Sequence, residues 1–189
     1  MASITAIYDA CVLYPGALRD FLIQLATMSL FKARWTNQIH DEWIFNLLKN
    51  RPDLTIDRLQ KTRQLINAAV RDCLVEGYES FIESVNLPDE NDRHILAAAI
   101  HSNADLIVTF NLKDFPEQLL RKYKIRAIHP DDFTISLLDI DCISVCKAAQ
   151  QHGNRLKKPQ KSAEEYLSTL SSQGLIKTAQ LLRTRIELI

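Results

Sequence analysis

The sequence predicts an α/β protein: a short, mainly parallel sheet set between helices, followed by a C-terminal helical extension. Three observations predict it. Apolar runs of strand length recur at residues 3–8 (SITAIY), 105–110 (DLIVTF) and 126–129 (RAIH), bounded by polar or turn-forming residues. Between and after them, apolar residues return at helical spacing. The chain of 189 residues is long enough for one good core with an appended helical piece.

The elements follow in order. The first run closes on Asp9. Residues 16–31 place Leu18, Phe21, Leu22, Leu25, Ala26, Leu30 and Phe31 on one helical stripe. After a short apolar segment ending at Trp35, a helix begins near Thr36 or Asn37 and runs to about Leu48. Residues 55–70 form another, with Leu59, Thr62, Ile66, Ala69 and Val70 on its stripe. These three helices could present an apolar ridge to a partner, or simply pack on their own core. Asp89 is placed to cap the helix-forming run 93–101, which puts Asp92 at its third position, on the face of Ile95, Leu96 and Ala99. The third strand ends at Pro130, and Asp131 or Asp132 is the expected cap of the next helix. Residues 151–161 read as a polar linker. Ser162-Ala163-Glu164-Glu165 is a capping box opening a helix to about Ser171, Gly174 ends it, and residues 175–188 form the last helix.

Four acids gain meaning from this arrangement. Asp9 and Asp114 follow strands, at the sheet edge where open α/β folds gather ligands. Glu42 and Asp92 lie near helix starts. Because a crossover helix runs antiparallel to its strands, helix N-termini share an edge with strand C-termini. All four therefore converge on one rim. Singly, each has an ordinary reading: Asp92 as a helix-dipole partner, Glu42 as a solvated helix residue, Asp114 as a loop acid. Asp9 is harder to dismiss, since a carboxylate directly after a buried strand needs something to neutralise it. Crowded together, the four repel unless a cation sits among them. Oxygen donors select a hard divalent ion, Mg²⁺ or Mn²⁺.

Other chemistries find no support. The chain has no Ser-His-Asp order, Gly-rich phosphate loop or His/Cys metal spacing. His40-Asp41-Glu42 contains the H-x-E of zinc deaminases but lacks their Pro-Cys-x-x-Cys partner. Lysine plus arginine and aspartate plus glutamate both number 23, so the net charge is zero and nothing steers the whole molecule to nucleic acid. Any contact with nucleic acid must come from local patches: Lys113, Arg121, Lys122, Lys124 and Arg126, or Arg155, Lys157, Lys158 and Lys161. Cys11, Cys73, Cys142 and Cys146 show no C-x-x-C or disulfide-dense pattern, which points inside the cell. His94 and His101 read as surface or interface histidines. No stretch is long and apolar enough to span a membrane, and no signal peptide is evident, so a cytoplasmic protein is expected.

Several segments together resemble a PIN domain: Tyr8-Asp9-Ala10-Cys11-Val12-Leu13-Tyr14-Pro15, Trp35-Thr36 with Asp41-Glu42-Trp43, the run from Pro88 to Ala99, and that from Ala104 to Pro116. More narrowly, the chain is similar to the VapC-type toxin ribonucleases of bacterial toxin–antitoxin pairs. The resemblance covers about residues 3–135. It implies a PIN-like three-layer fold in residues 1–138, with residues 139–189 a helical extension beyond the shared pattern. It also implies Mg²⁺- or Mn²⁺-dependent endonucleolytic cleavage of RNA. The family's acids map to Asp9, Glu42, Asp92 and Asp114, with Asn111 standing where many members carry an acid. Asp9, Asp92 and Asp114 would hold the metal, with Asn111 in a supporting role. Glu42 would bind it through water or take the nucleophile's proton, and Thr109 is either a supporting hydrogen bonder or a satisfied strand residue. An RNA substrate and a cognate antitoxin follow as partners. The extension's apolar faces want the nuclease core, the antitoxin or a second copy of the chain as a homodimer. Competing readings are a housekeeping RNA-processing nuclease, a non-catalytic PIN-like adaptor, and a Mg²⁺-dependent phosphoacceptor domain relying on Lys113.

Overall fold

β1 (Thr5–Tyr8) is buried at every position, as a strand covered on both faces must be. The computed structural model describes residues 4–156 and 161–189. In it β1 is flanked by β2 (Lys32–Arg34) and β3 (Leu106–Val108), with β4 (Arg126–Ile128) beyond β3. The order is β2-β1-β3-β4 and every pairing is parallel, with Ile7 opposite Arg34 on one side and Ile107 on the other. The chain leaves β1 in one direction to reach β2 and returns past it to β3. The point of reversal lies between the carboxyl ends of β1 and β3.

Helices fill the connections. α1 (Ala10–Leu13) and α2 (Gly16–Ala26) lead to β2. α3 (Asn37–Asn50), α4 (Ile56–Ala69) and α5 (Arg93–His101) lead to β3, and α6 (Glu117–Leu120) to β4. Thr36 and Thr55 cap α3 and α4 by accepting the backbone N–H groups of Ile39 and Arg58. The stripe predicted for residues 16–31 stops at Ala26. Ser29 takes a left-handed conformation (φ 59°), and Phe31 turns inward against the rings of Tyr8 and Phe133. That turn feeds β2, a three-residue strand hidden in the segment before Trp35. The apolar ridge is small, because α2 buries its stripe and only Phe45, Ile56 and Leu65 stand exposed on α3 and α4.

The C-terminal part holds α7 (Pro130–Ile140), α8 (Cys142–Arg155), α9 (Ala163–Ser172) and α10 (Ile176–Arg183). The cap of α7 is His129, not an aspartate: its Nδ1 accepts the Asp131 N–H at 3.1 Å, and Pro130 takes the first helical position. Asp131 is buried and does a different job. Its carboxylate accepts the N–H groups of Lys177 (2.9 Å) and Thr178 (2.8 Å), capping α10 from 46 residues away. Residues 151–155 continue α8 rather than forming a linker, because His152 is buried against the Phe21 ring. Ser3, Lys157 and Lys158 lie outside the described residues. The capping box at Ser162 and Glu165 forms as expected. Gly174 ends the helix at φ 88°, where a Cβ would lie 3.0 Å from the Phe110 ring. The last predicted helix breaks after Arg183 and resumes as a short 3-10 turn, Ile186–Leu188.

Leu167, Leu170, Leu175, Ala179 and Leu182 are buried in one continuous core with Phe21 and Leu22 of α2. Those five side chains of the extension are thus covered by the chain itself, while Ile143 and Ile176 stand exposed. Among the described residues, no helix is long and apolar enough to cross a membrane.

The Asp131 carboxylate is the polar tie between α7 and α10. Replacing it with alanine strands two backbone donors and should cost about 2 kcal/mol of stability. Chemical denaturation of Asp131→Ala beside Asp132→Ala checks this, since the exposed Asp132–Lys177 pair (2.9 Å) should contribute under about 1 kcal/mol.

Candidate active site

Asp9 enters the site straight from β1. Its backbone N–H donates to the Val108 carbonyl at 3.1 Å, continuing the sheet by one rung. Its side chain then caps α1, with Oδ1 accepting the Cys11 N–H at 3.3 Å. The Thr109 hydroxyl donates to Asp9 Oδ2 at 2.6 Å, and Thr109 Oγ1 in turn accepts the Asn111 N–H at 2.9 Å. Thr109 is fully buried, so this chain of bonds fixes one carboxylate oxygen with little freedom. Cys11, to which the sequence analysis gave no role in the site, joins the network. Its thiol donates to Asp9 Oδ2 (3.1 Å) and its sulfur accepts the Phe110 N–H (3.3 Å). Burial and the Asp9 charge push its pKa far up, so it remains a protonated donor. The signal available in sequence was its place two residues after a capping aspartate.

Asp92 sits where the 3-10 helix Glu90–Asp92 passes into α5. Asp89 does the capping, by accepting the Asn91 N–H at 2.9 Å. Asp92 stands at the N-cap position of α5, but its side chain makes no capping bond. Its pKa is raised to about 7, first by burial and then by the charges of Asp9, Asp89, Asp114 and Glu42. Glu42 comes from the second turn of α3, and its Oε1 lies 2.6 Å from His94 Nε2. His94 is only 2% exposed, so it is a buried histidine and not a surface one; His101, by contrast, is exposed. The His94–Glu42 contact has ion-pair distance but not the alignment of a hydrogen bond, and both ring nitrogens lack hydrogen-bond partners.

Asp9, Glu42, Asp92 and Asn111 line one cavity of about 340 Å³, together with Cys11, Tyr14, Asn46 and Asn50. Asp114 does not line it. It is half-buried in the following 3-10 turn, Leu112–Asp114, and reaches the cavity through its charge on Asp92. Asn111 thus takes the wall position.

Among the described residues, no three His, Cys, Asp or Glu side chains stand close enough to grip an ion as they are. The donor set nevertheless suits a hard cation. It is all oxygen, and Mg²⁺ needs only one or two carboxylates because it keeps several of its waters. The upward shift at Asp92 comes first from burial, and the carboxylates around it, facing no counter-charge, add to it.

Two family models match the chain: "PIN domain" over residues 5–113 and "VapC50 C-terminal domain" over residues 130–184. The chain is 48% identical over 64 residues to a Mycobacterium tuberculosis protein named "Putative ribonuclease VapC50"; that stretch is 34% of this chain and 37% of the relative's length. No solved structure matches the chain. The PIN-domain match takes in more than half of the residues and contains Asp9, Glu42, Asp92 and Asn111, and the chain belongs to the PIN-domain family.

Proposed function

We propose that this protein is a Mg²⁺- or Mn²⁺-dependent endoribonuclease, the toxin of a toxin–antitoxin pair, acting in the cytoplasm with a cognate antitoxin as its inhibitor. The observation that carries the nuclease reading is the cavity lined by Asp9, Glu42 and Asp92, where burial first, and then the charge of its neighbours, raises the Asp92 pKa to about 7. The resemblance to VapC-type ribonucleases, the VapC50 C-terminal match and the relative's name support the narrower assignment. Residues 1–138 are assigned to the nuclease unit and 139–189 to the extension.

Asp9 and Asp92 are the residues to hold the ion, with Asp114 adding charge behind them and Asn111 a neutral donor at the wall. A bound divalent cation would supply an acidified water and offset the charge that grows on the phosphate oxygens. The protein's share is positioning. Thr109 and Cys11 fix which Asp9 oxygen faces inward. His94 packs against Glu42 and limits its swing. Glu42, half-buried at the rim, is the base that takes a proton from the attacking water. Asn46 and Asn50, one and two turns along α3 from Glu42, offer neutral polar contacts to substrate.

Asp9→Asn and Asp92→Asn should each lower metal-dependent RNA cleavage at least about 100-fold while the far-ultraviolet spectrum stays that of the parent. Cleavage by either variant at the parental rate would refute the assignment, and no cleavage by folded, antitoxin-free parent would favour a non-catalytic adaptor. Thr109→Val, which keeps shape and removes the donor to Asp9, should cost about 10- to 100-fold in metal affinity or rate.

The raised Asp92 pKa sets a pH dependence. The folded protein holds this proton up to about pH 7, the unfolded chain only to about pH 4. Its contribution to stability is therefore present below about pH 4 and lost as pH rises through about 7. His40 and His152 act oppositely, since burial lowers both to about 4 and their contribution is lost on the acid side. Asp92→Asn isolates the first effect. Without added metal, its melting temperature should rise relative to the parent between about pH 5 and pH 8. An unchanged difference across that range would show that Asp92 is not crowded.

A further inference from the structure

We propose that a single-stranded RNA runs from the acidic cavity across Tyr14 into a second groove, where Arg19, Arg51, Arg58 and Lys61 bind its phosphates. This rests on the ribonuclease reading and names the path of its substrate.

The two cavities share Tyr14. On one side it borders the cavity of Asp9, Glu42 and Asp92. On the other it borders a groove of about 460 Å³ between the start of α2, the end of α3 and the first turns of α4. That groove is lined by four cationic side chains and no carboxylate, with Leu47, Leu54 and Leu59 in its walls. In a chain of zero net charge such segregation is informative, because a polyanion can be held only where cations gather locally.

The cations differ in freedom. Arg19 is largely buried. It donates to the Leu13 carbonyl (3.1 Å), contacts Asp20 (3.3 Å) and lies over the Trp43 ring, so it is a fixed charge in the groove wall. Arg51 is exposed but held by a bidentate pair with Asp53 (2.8 and 2.7 Å), so it adds less free charge to the groove than the next two. Arg58 and Lys61, exposed on the first turns of α4, form no ion pair among the described residues. By comparison, in the basic segment after Asp114 Arg121 is paired with Glu117 and Lys122 lies over Tyr123.

Tyr14 is the joint between the two grooves. Its hydroxyl accepts a hydrogen bond from Asn50 Nδ2 at 3.2 Å, which limits its rotation, and its ring is half-exposed. A half-exposed aromatic ring beside a cationic groove is a platform for a base. The neutral amides of Asn46 and Asn50 line the acidic cavity beside it and suit base edges, since they add no charge to repel the strand. The polymer would thus cross the carboxylates at a single phosphate and leave at once into positive potential.

The test is binding of a 5′-fluorescein-labelled RNA dodecamer without secondary structure, read by anisotropy over a salt series in Ca²⁺ buffer, with Mg²⁺-dependent cleavage of the same RNA followed in parallel. Arg58→Ala/Lys61→Ala should weaken binding and flatten the slope of log K against log salt by about 1.4, the share of two phosphate contacts on a single strand. Lys122→Ala/Lys124→Ala should leave that slope at the parental value. Tyr14→Ala should weaken binding roughly fivefold or more while Tyr14→Phe holds it, as stacking requires. An unchanged slope in Arg58→Ala/Lys61→Ala, with the parent still cutting RNA, overturns the path alone and leaves the groove to a protein. A folded parent that neither binds nor cuts the RNA overturns the ribonuclease reading beneath it.

Discussion

The protein is organised around a concentration of negative charge at the point where its sheet changes direction. Parallel strands deliver Asp9 and Thr109 side by side, because β1 and β3 are neighbours in register and both end there. The helices that return the chain deliver Glu42 and Asp92 to the same edge. Repulsion among these groups opposes folding. It is tolerated because one carboxylate is bound by a threonine hydroxyl, a thiol and a backbone N–H, and another keeps its proton to near neutral pH. Such an arrangement costs stability unless a cation joins it, and that makes it informative about function.

Much of this was legible in the sequence. Strands ending in polar residues and acids near helix starts point by topology alone to the rim where Asp9, Glu42 and Asp92 line one cavity, with Asp114 outside its wall. What could not be read was local competition. Asp89 caps the turn as its place in the sequence suggests, but the 3-10 turn that follows, which brings Asp92 to the start of α5 without a capping bond, leaves no mark in the spacing. Asn111 and Asp114 stand three residues apart in a 3-10 turn, and which of them faces the cavity depends on dihedral angles that no pattern encodes. His94 sits in a first helical turn, where histidines are usually exposed; its burial follows from how tightly Ala97, Ala98 and Ala99 let α5 approach the sheet.

The elements that escaped the sequence differ in cause. β2 has three residues, too short for alternation to emerge from the flanking apolar residues, whereas β4 falls where the third strand was expected. α8 looks polar at its end because its buried contact there is a histidine whose Nδ1 meets the Tyr166 hydroxyl. Long-range capping is equally invisible. Asp131 belongs in sequence to α7 but in structure to α10, and this single carboxylate helps explain why the C-terminal helices form one core with the sheet and its helices. The extension buries most of its apolar stripes, and Ile140, Ile143 and Ile176 are the large apolar side chains it leaves most exposed.

Crystals grown with Mn²⁺ would test the central claim most directly, through the anomalous difference map at the manganese edge. The account predicts a peak in the cavity within about 2.1 Å of carboxylate oxygens from Asp9 and Asp92. Manganese held by other residues, or a cavity without a peak at saturating Mn²⁺, would contradict it.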